Sequence, residues 1–376
     1  MAIVNEPMVL DAPVRGRSLW RDAWARLRRN RAAVASAVVL LVMALASIFG
    51  PILWPHPYDR VYPQYVRAPA SLEPYPRAER ILPEFEQALA RGRVEVVSVE
   101  VTDRGVRAEI RSDREIDPRI TRYVERNDLF FNPRLAETAP DGRSAILEAD
   151  VARLRFIAGT DANGRDLFAR ILVAIRISLT IGLLATFVAL LIGVSYGATA
   201  GFLGGRIDNV MMRVVDILYS LPFIFFVILL VVFFGRNFVL MFIAVGAIEW
   251  LDMARIVRGQ TLSLKRREFV QAAEALGVSN RAIVFRHIIP NTLGPVVVYM
   301  TLLVPRVILL ESFLSFLGLG VQEPLTSLGV LISEGARNIQ GARWLLLYPS
   351  IALALILFSL NFIGDGLRDA LDPKDR

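Results

Sequence analysis

The sequence predicts an all-α polytopic membrane protein with six transmembrane helices and a small α/β or α+β insert on the extracytoplasmic side. Its 376 residues are 54% hydrophobic and only 21% charged, with a mean hydropathy of +0.47. Soluble domains usually contain less apolar and more charged residue than this. Six apolar stretches are long enough to cross a bilayer, and a segment rich in Pro and charge separates the first two.

The six predicted spans are stretches of about 20 or more mainly apolar residues, the length that a helix needs to cross the hydrocarbon core. They are residues 32–57, 177–205, 217–235, 237–254, 291–316 and 344–364. A soluble core of buried helices is the alternative, but soluble helices rarely run this far without a polar face. A signal peptide is disfavoured for the first stretch, which is too long and lacks a small-residue cleavage site. The predicted regions are an N-terminal region (1–31), a first transmembrane helix (32–54), an insert (55–158) and a core with five transmembrane helices (159–376).

Composition also excludes several chemistries. The chain has no Cys and only two His, His56 and His287, which excludes thiol chemistry, Cys-type zinc sites and His-rich metal centres. Its two lysines, Lys265 and Lys374, do not follow a Gly, so a phosphate-binding G-x-x-x-x-G-K-[ST] loop is absent. We therefore expect no catalytic residue, metal or cofactor in this chain. Any ATP that drives it is bound by another subunit.

The distribution of basic residues predicts that both termini are cytoplasmic. In that orientation the cytoplasmic segments hold 7, 2, 7 and 3 Lys and Arg, at 1–31, 206–213, 255–290 and 365–376. The two short outside connections hold only 1 and 2, at 236 and 317–343. Short cytoplasmic loops carry an excess of Lys and Arg, whereas long loops translocate largely regardless of charge. The insert is then extracytoplasmic.

Residues 17–31 are predicted to form an amphipathic helix on the cytoplasmic membrane surface. Apolar residues, including Trp20 and Trp24, recur there at helical spacing. Most of the five arginines in the segment lie outside the face that these apolar residues form. Trp favours the headgroup depth of a bilayer. A disordered basic arm is the alternative, and the two tryptophans favour the helix.

The insert contains a predicted β-hairpin. Residues 94–101 (VEVVSVEV) alternate apolar and polar, turn residues follow at 103–105, and residues 106–110 (VRAEI) form a second short run. About 100 residues suffice to bury a small core. Two roles of the insert stay open from the sequence: a spacer, or a surface that docks a soluble partner.

Two groups of residues inside the predicted spans are candidates for packing and for a pathway. Four glycines spaced by four share one helical face, where small residues let helices approach closely: Gly193, Gly197, Gly201 and Gly205. The partner helix could belong to this chain or to a second subunit. Five ionisable residues lie at or near membrane depth: Asp216, Glu249, Asp252, Arg306 and Glu311. Such residues usually face a protein interior or a water-filled path. Interhelical pairing or placement at a span end is favoured over a proton relay, because no dense chain of acidic residues is visible.

The connection 257–291 is predicted to form a compact helical knob. Gly277 ends a first helix as a C-cap. Ser279 caps a second helix, from Asn280 to about Ile288, which is expected to stop before Pro290. Two short helices at a sharp angle suit insertion into a groove on a cytoplasmic partner. On physical grounds alone, an ordinary surface loop is equally consistent.

This connection resembles the EAA loop of binding-protein-dependent ABC importer permeases. The family pattern is E-A-A, three residues, Gly, nine residues, then I-x-L-P. Here Gly277 and Pro290 match in register, whereas Gln271, His287 and Ile289 depart from the pattern. The resemblance implies that the following residues couple the chain to an ATPase: Glu268, Gln271, Ala272, Ala273, Glu274, Gly277, Arg286, His287 and Pro290.

Longer motifs resemble the oligopeptide/dipeptide branch of the same family. They are GTDANGRDLFAR (159–170), AGFLGGRIDNVMMRVVDILYSLP (200–222) and ESFLSFLGLGVQEP (311–324). The segments GRSLWRDA (16–23) and NFIGDGLRDALDPKDR (361–376) resemble the C subunit of oligopeptide permeases in particular. The resemblance covers 16–53 and 156–376. It implies a type I ABC importer permease fold in the bacterial cytoplasmic membrane and ATP-driven import of oligopeptides or dipeptides.

The resemblance also implies a set of partners. These are a second homologous permease subunit, two cytoplasmic ATPase subunits that use the ATP, an extracytoplasmic peptide-binding protein and membrane lipid, with no nucleic acid. Whether the second permease is a different chain or a copy of this one stays open. One alternative is a related importer for cell-wall peptides, peptide antibiotics or other solutes. An ion-coupled secondary transporter would predict inverted repeats, and a membrane-anchored scaffold acting through the insert would not require the knob.

Overall fold

The structure is a computed structural model that describes residues 19–371 except 91, 93, 103, 104, 128, 152, 236 and 237. Its helices are α1 (Leu19–Arg29), α2 (Arg31–Leu53), α3 (Ala78–Ala90), α4 (Thr121–Glu125), α5 (Leu167–Leu203), α6 (Gly205–Ser220), α7 (Phe223–Phe234), α8 (Phe238–Leu264), α9 (Glu268–Ala275), α10 (Asn280–Ile283), α11 (Ile289–Phe316), α12 (Leu328–Arg337) and α13 (Trp344–Leu371). Its strands are β1 (Glu95–Val101), β2 (Gly105–Arg111), β3 (Phe130–Thr138) and β4 (Ser144–Val151).

The chain divides into two compact units. Of the described residues, the helical unit comprises those in 19–52, 172–333 and 349–371. The sheet unit comprises Leu53–Ile171 and Glu334–Tyr348. The sheet unit therefore contains a second chain segment, beyond the insert that the sequence indicated.

The helical membrane architecture is confirmed. Within the described residues, α2, α5, α13 and the continuous helix Asn280–Phe316 are each long and apolar enough to cross a bilayer. A fifth span results if the bent pair α6 and α7 is counted as one. The fourth predicted span coincides with α8, a helix of 27 residues whose second half carries several charged side chains. Five of the six predicted spans thus each coincide with one helix, and the third coincides with the bent pair α6 and α7.

The third predicted span is a bent pair of helices and not one straight helix. Helices α6 and α7 are bent by 80° at the break between them. Leu221 at this break is extended, with φ −73° and ψ 130°, because a residue that precedes a proline is pushed out of the helical region. Pro222 also lacks the N–H that would continue the helix. At about 1.5 Å per residue, the 12 residues of α7 fall well short of the ~30 Å hydrocarbon core.

The N-terminal segment forms two successive helices. Helix α1 has basic residues in its last turn and buries Ala23. The Arg28 guanidinium stacks 5.2 Å from the centre of the Trp24 ring. Asn30 then caps α2, because its side-chain oxygen accepts a hydrogen bond from the Ala33 N–H at 3.2 Å. Residues 17 and 18 of the predicted amphipathic helix lie outside the described residues, and the helix's position on the membrane surface stays a prediction.

The sheet unit has an α+β fold built on a four-stranded antiparallel sheet in the order β1-β2-β4-β3. The predicted hairpin is β1 and β2. Strand β4 alternates buried and half-buried residues, as expected for a strand with one face on a core. That core includes Phe85 of α3, Ile110 of β2 and Leu147 of β4, all fully buried. Gly105 is required at the start of β2, since a Cβ there would lie 2.1 Å from the Ala149 carbonyl oxygen.

A buried ionic cluster joins the two chain segments of the sheet unit. The Arg170 side chain is 2% exposed and lies between two carboxylates. Its Nη1 donates to Asp161 at 2.5 Å and to Glu334 at 2.6 Å, and its Nη2 donates to Glu334 at 3.1 Å. Asp161 also accepts a hydrogen bond from Arg165 Nε at 2.7 Å. The contact between Arg170 and Glu334 ties residues 334–348 to the other segment of the sheet unit, Leu53–Ile171.

We expect Arg170→Leu to destabilise the sheet unit strongly. Removing one member of a buried ion pair leaves the other charge uncompensated, which costs about 3–5 kcal/mol. The melting temperature of the purified protein should fall by about 5 °C or more. The matched control is Arg134→Leu, because Arg134 pairs with Glu148 at 2.8 Å but is itself 69% exposed. An exposed pair contributes little to stability because water and salt screen it, so equal losses in the two variants would contradict a stabilising role of the cluster.

Candidate functional site

The knob, defined as residues 268–290, turns sharply at Gly277. Helix α9 ends in a Schellman motif, in which the Val278 N–H donates to the Ala273 carbonyl at 3.1 Å and the Gly277 N–H donates to the Glu274 carbonyl at 3.0 Å. Gly277 has φ +74°, and a Cβ at this position would meet nothing within 4 Å. Glycine is therefore favoured by backbone conformation and not by crowding.

A second cap starts the next helix. The Ser279 side chain accepts a hydrogen bond from the Ala282 N–H at 3.4 Å, so Ser279 is the N-cap of α10. A Ser N-cap contributes about 1 kcal/mol to helix stability. The C-cap of α9 and the N-cap of α10 are thus separated by Gly277 and Val278 alone, which leaves the turn between the helices little freedom.

The second helix of the knob does not end before Pro290, as the sequence had suggested. It continues through a π-helical turn, Val284–Ile288, into α11, and the whole helix runs Asn280–Phe316. In the π-helical turn the Ile289 N–H donates to the Val284 carbonyl, five residues earlier. This wider turn lies directly before Pro290, which has no N–H to donate back into the helix, and so accommodates the proline. The knob is therefore continuous with a membrane-spanning helix.

A hydrophobic core anchors the knob to the membrane helices of its unit. Val270, Ala273 and Ile283 of the knob are buried in one cluster with residues of α5 and α8. Their partners include Val194, Ala198, Phe202, Met253 and Val257. Closely packed protein interiors have low compressibility, so they transmit a displacement from one element to its neighbours. A movement of the knob would consequently move α5, α8 and α11.

The knob exposes three large apolar side chains, one of them beside the turn at its tip. Leu276 is 83% exposed, Phe285 is 53% exposed and Phe269 is 42% exposed. Exposed apolar groups of this size, grouped on one projection, are typical of a protein interaction site. The sequence analysis did not identify these three residues, because residue type alone does not show which apolar side chains of a helix are left exposed.

The residues to which the resemblance assigns ATPase coupling differ in their exposure to solvent. Seven are at the surface: Glu268, Gln271, Ala272, Glu274, Gly277, Arg286 and Pro290. Ala273 is buried in the core that anchors the knob, so its contribution here is to packing. His287 is partly buried, and its carbonyl accepts a hydrogen bond from Asn291 at 2.5 Å.

Three of the four candidate glycines pack α5 against α8 of the same chain. A Cβ added to Gly193 would lie 2.8 Å from the Trp250 carbonyl oxygen. A Cβ added to Gly197 would lie 2.3 Å from the Ala254 carbonyl oxygen, and one added to Gly201 would lie 2.9 Å from the Arg258 carbonyl oxygen. The facing residues are also spaced by four, so the two helices run in contact over two turns. The fourth glycine, Gly205, does not take part in this contact, contrary to the prediction. It begins α6 and has nothing within 4 Å of a Cβ, because α5 ends at Leu203.

Four of the five ionisable candidates form ion pairs between helices. Arg306 of α11 lies 3.0 Å from Asp252 and 3.7 Å from Glu249, both of α8. Asp216 of α6 lies 2.9 Å from Arg255 of α8. Charged groups at membrane depth are tolerated when they pair in this way.

A further pair that the sequence analysis missed joins the same two helices, α6 and α8. Arg258 donates two hydrogen bonds to the buried Asp208, at 2.6 and 2.7 Å. The sequence did offer a signal for this pair. Both residues lie just beyond the ends of predicted spans, in segments that the distribution of Lys and Arg predicts to be on the same side of the membrane. Helix α8 therefore contacts α5 through glycines, and α6 and α11 through ion pairs.

Glu311 differs from the other candidates, because no ion pair to it is found in the described part of the chain. It is fully buried and accepts hydrogen bonds from Ser315 at 2.6 Å and from Ser178 at 3.3 Å. The Ser178 hydroxyl in turn accepts a hydrogen bond from the Leu328 N–H at 3.2 Å. Glu311 thereby connects α5, α11 and the first residue of α12. Ser178 gave no signal in the sequence, since it is one of several Ser and Thr residues in an otherwise apolar stretch.

These features define a multi-pass membrane protein whose spans are joined to a projecting helical knob. A family model described as "Binding-protein-dependent transport system inner membrane component" matches residues 189–376. A second, described as "N-terminal TM domain of oligopeptide transport permease C", matches residues 18–74.

Individual relatives are similar over most of the chain. The oligopeptide transport system permease protein OppC of Escherichia coli K12 is 46% identical over 96% of this chain and 94% of its own length. OppC of Haemophilus influenzae is 43% identical, over 96% and 90%. The dipeptide transport system permease protein DppC of Bacillus subtilis 168 is 47% identical, over 58% and 68%. A chain of the MetNI methionine ABC transporter, solved in an inward-facing conformation, is 15% identical with a TM-score of 0.44, over 55% and 96%.

This chain therefore belongs to the family of binding-protein-dependent transport system inner membrane components, as an ABC permease of the OppC kind. It is a multi-pass inner-membrane transport subunit, not a member of an enzyme family.

Proposed function

We propose that the chain is a pore-forming permease subunit of an ATP-driven, binding-protein-dependent importer of oligopeptides or dipeptides. Relatives named as oligopeptide and dipeptide transport permeases, at 40–47% identity, support the peptide substrate. The proposed assembly contains a second homologous permease subunit, two cytoplasmic ATPase subunits and an extracytoplasmic peptide-binding protein. Both termini of this chain lie in the cytoplasm, as its distribution of Lys and Arg predicts.

The observation that carries the proposal is the construction of the knob. It exposes Leu276 at its tip and Phe285 on its second helix, and its buried base packs on α5 and α8. A projection of this kind can be seated in a groove on a partner, as in other complexes in which a helix occupies a groove. In this arrangement the ATPase holds the tip, and the base passes movement to the membrane helices.

Helix α8 is the central element of the proposed coupling. It precedes the knob directly in the chain, and it contacts α5, α6 and α11 through the glycines and ion pairs described above. When the two ATPase subunits close on ATP, the knob is displaced and α8 moves with it. Because these contacts join α8 to three other helices, the spans rock together between inward-open and outward-open arrangements.

The test is reconstitution of the chain in proteoliposomes with a second permease, candidate ATPases and a peptide-binding protein. We expect peptide-stimulated ATP hydrolysis and ATP-dependent peptide uptake. Omitting the ATPases should abolish uptake even under an imposed ion gradient. Uptake that follows an ion gradient and ignores ATP, or a chain that copurifies with no ATPase, would refute the proposal and favour a secondary transporter.

A further inference from the structure

A cavity of about 870 Å³ opens in the sheet unit, beside the end of the first membrane helix. It is formed by the segment that follows α2, residues 54–65, and by the segment that follows β4, residues 153–157. Three arginines line it, Arg60, Arg153 and Arg155, together with aromatic and aliphatic side chains. No Asp or Glu is among the described residues that line it. The cavity is therefore basic on one part of its wall and apolar on another.

The three arginines are available to a ligand. All three are exposed, and no ion pair to any of them is found among the residues that the structure describes. Arg60 lies over the Tyr62 ring at 5.2 Å, and one Arg153 nitrogen donates to the Thr102 carbonyl at 3.0 Å. These contacts orient two of the side chains without neutralising their charge. Guanidinium groups bind phosphate oxygens well, because their planar fork donates two parallel hydrogen bonds.

The wall of the cavity is rigid before any ligand binds. Leu154 is paired with Tyr75 through two backbone hydrogen bonds, at 2.6 and 2.8 Å. The chain is extended there, so Arg153 and Arg155, on either side of Leu154, point to the same side. His56 and Tyr62 pack against the fully buried Phe156 at ring-centre distances of 5.2 and 5.4 Å. A preformed cluster of cations binds an anion with little ordering cost.

The position of the cavity in the chain indicates a lipid source for the anion. Trp54, a lining residue, directly follows the candidate span α2. Trp at the end of a span lies at headgroup depth. The preceding residue, Leu53, is 81% exposed, and two lining residues, Val61 and Ile157, are 50% and 41% exposed. Exposed apolar groups beside cations, at the depth of the headgroups, match a molecule with an anionic head and hydrocarbon chains.

We propose that this cavity binds the phosphate headgroup of an anionic phospholipid, with Arg60, Arg153 and Arg155 as its ligands. The glycerol backbone and the first acyl carbons then contact the apolar part of the wall. Such a site fixes the sheet unit to the membrane surface, and it does not depend on the transported substrate.

A second cavity in the sheet unit supplies the matched control. It has a volume of about 530 Å³ and is lined by Arg114 and Arg119, but also by Asp113, Glu115 and Asp117. Its arginines are exposed like those of the proposed site, yet carboxylates accompany them. Adding Arg143, which lines an adjoining cavity with Asp141, gives a control set of three arginines with the same total charge.

The experiment measures lipid binding to the purified full-length chain by native mass spectrometry. Phosphatidylglycerol, phosphatidylcholine and glycerol phosphate are titrated separately into the wild type, into the triple variant Arg60→Gln, Arg153→Gln, Arg155→Gln, and into the triple control Arg114→Gln, Arg119→Gln, Arg143→Gln. Each basic residue near a membrane surface contributes about 1 kcal/mol, which corresponds to on the order of 100-fold for three. We therefore expect the site variant to lose phosphatidylglycerol affinity by on the order of 100-fold, and the control to stay within about threefold of wild type. Melting temperatures should be alike, since the arginines are exposed.

Three results would overturn the proposal. Retained phosphatidylglycerol binding in the site variant would show that the arginines do not form the site. Equal binding of phosphatidylcholine would show that the negative charge of the headgroup is not recognised. Glycerol phosphate binding as tightly as the lipid would show a site for a soluble anion.

Discussion

Gly277→Asp is expected to abolish peptide-stimulated ATP hydrolysis and uptake while the membrane helices remain inserted. Two effects combine at this position. A non-glycine residue at φ +74° strains the backbone by about 1–2 kcal/mol. The new carboxylate also lies next to Leu276, at the tip that is proposed to enter the ATPase, and burying an unpaired charge in an interface costs several kcal/mol. Uptake in proteoliposomes should fall at least tenfold, with normal expression in the membrane.

The chain offers a matched control for the strain. Gly318 ends α11 in the same Schellman motif, with φ +78°, open space around a Cβ, and Leu319 N–H donating to the Leu314 carbonyl at 2.9 Å. It lies at the other end of the helix that begins in the knob. Gly318→Asp should therefore strain the backbone equally and leave ATPase coupling within a few-fold of wild type. Gly277→Asn, an uncharged residue that tolerates this conformation, should retain part of the activity. Normal uptake by Gly277→Asp would refute the role assigned to the knob.

Gly197→Leu is expected to destroy the contact between α5 and α8 and to unfold the helical unit. Even a Cβ would lie 2.3 Å from the Ala254 carbonyl oxygen and 3.0 Å from the Ala254 Cα. These are backbone atoms, so relief requires the helices to separate over the whole contact. Overpacking of a core costs about 1–3 kcal/mol and occasionally more, and the lost packing at Gly193 and Gly201 adds to it. We expect aggregation in detergent or a fall in melting temperature of about 5 °C or more.

The control for this substitution is Gly259→Leu on α8. A Cβ at Gly259 would meet nothing within 4 Å, so the same side chain is added to a glycine without a close approach. Its melting temperature should stay near that of the wild type. A Gly197→Leu protein that is as stable as the control would show that the close contact of α5 and α8 does not hold the unit together.

Much of the fold could be predicted because it depends on residues that are close together in the sequence. The spans follow from the length of the apolar stretches, and the hairpin follows from alternation around a turn. Gly277 and Ser279 are caps whose effect depends on a few neighbouring backbone groups, so both were identified from the sequence. The prediction failed at Pro290 for a physical reason. A proline disfavours helix locally, but the chain has two responses, a break at Pro222 and a wider turn before Pro290, and tertiary packing selects between them.

Contacts between distant residues were the least predictable part. Arg170 and Glu334 are 164 positions apart, and neither residue type nor spacing indicates that they meet. The anchoring core of the knob is similar, since Val270 and Ile283 are ordinary apolar residues until α5 and α8 are placed against them. The glycine spacing predicted a close helix contact but not the partner helix, which the facing carbonyls of α8 identify.

The central claim is that the tip of the knob contacts the ATPase, and a single introduced cysteine tests it most directly. The chain has no Cys, so Leu276→Cys carries a unique thiol in this subunit and can be labelled with a photoactivatable maleimide in the assembled transporter. Leu72→Cys is the control, because Leu72 is 80% exposed and lies in the sheet unit. Illumination should attach the ATPase subunit to position 276 and not to position 72, as mass spectrometry of the adducts would show. Absence of the ATPase from the adducts at position 276, or equal labelling from both positions, would contradict the claim.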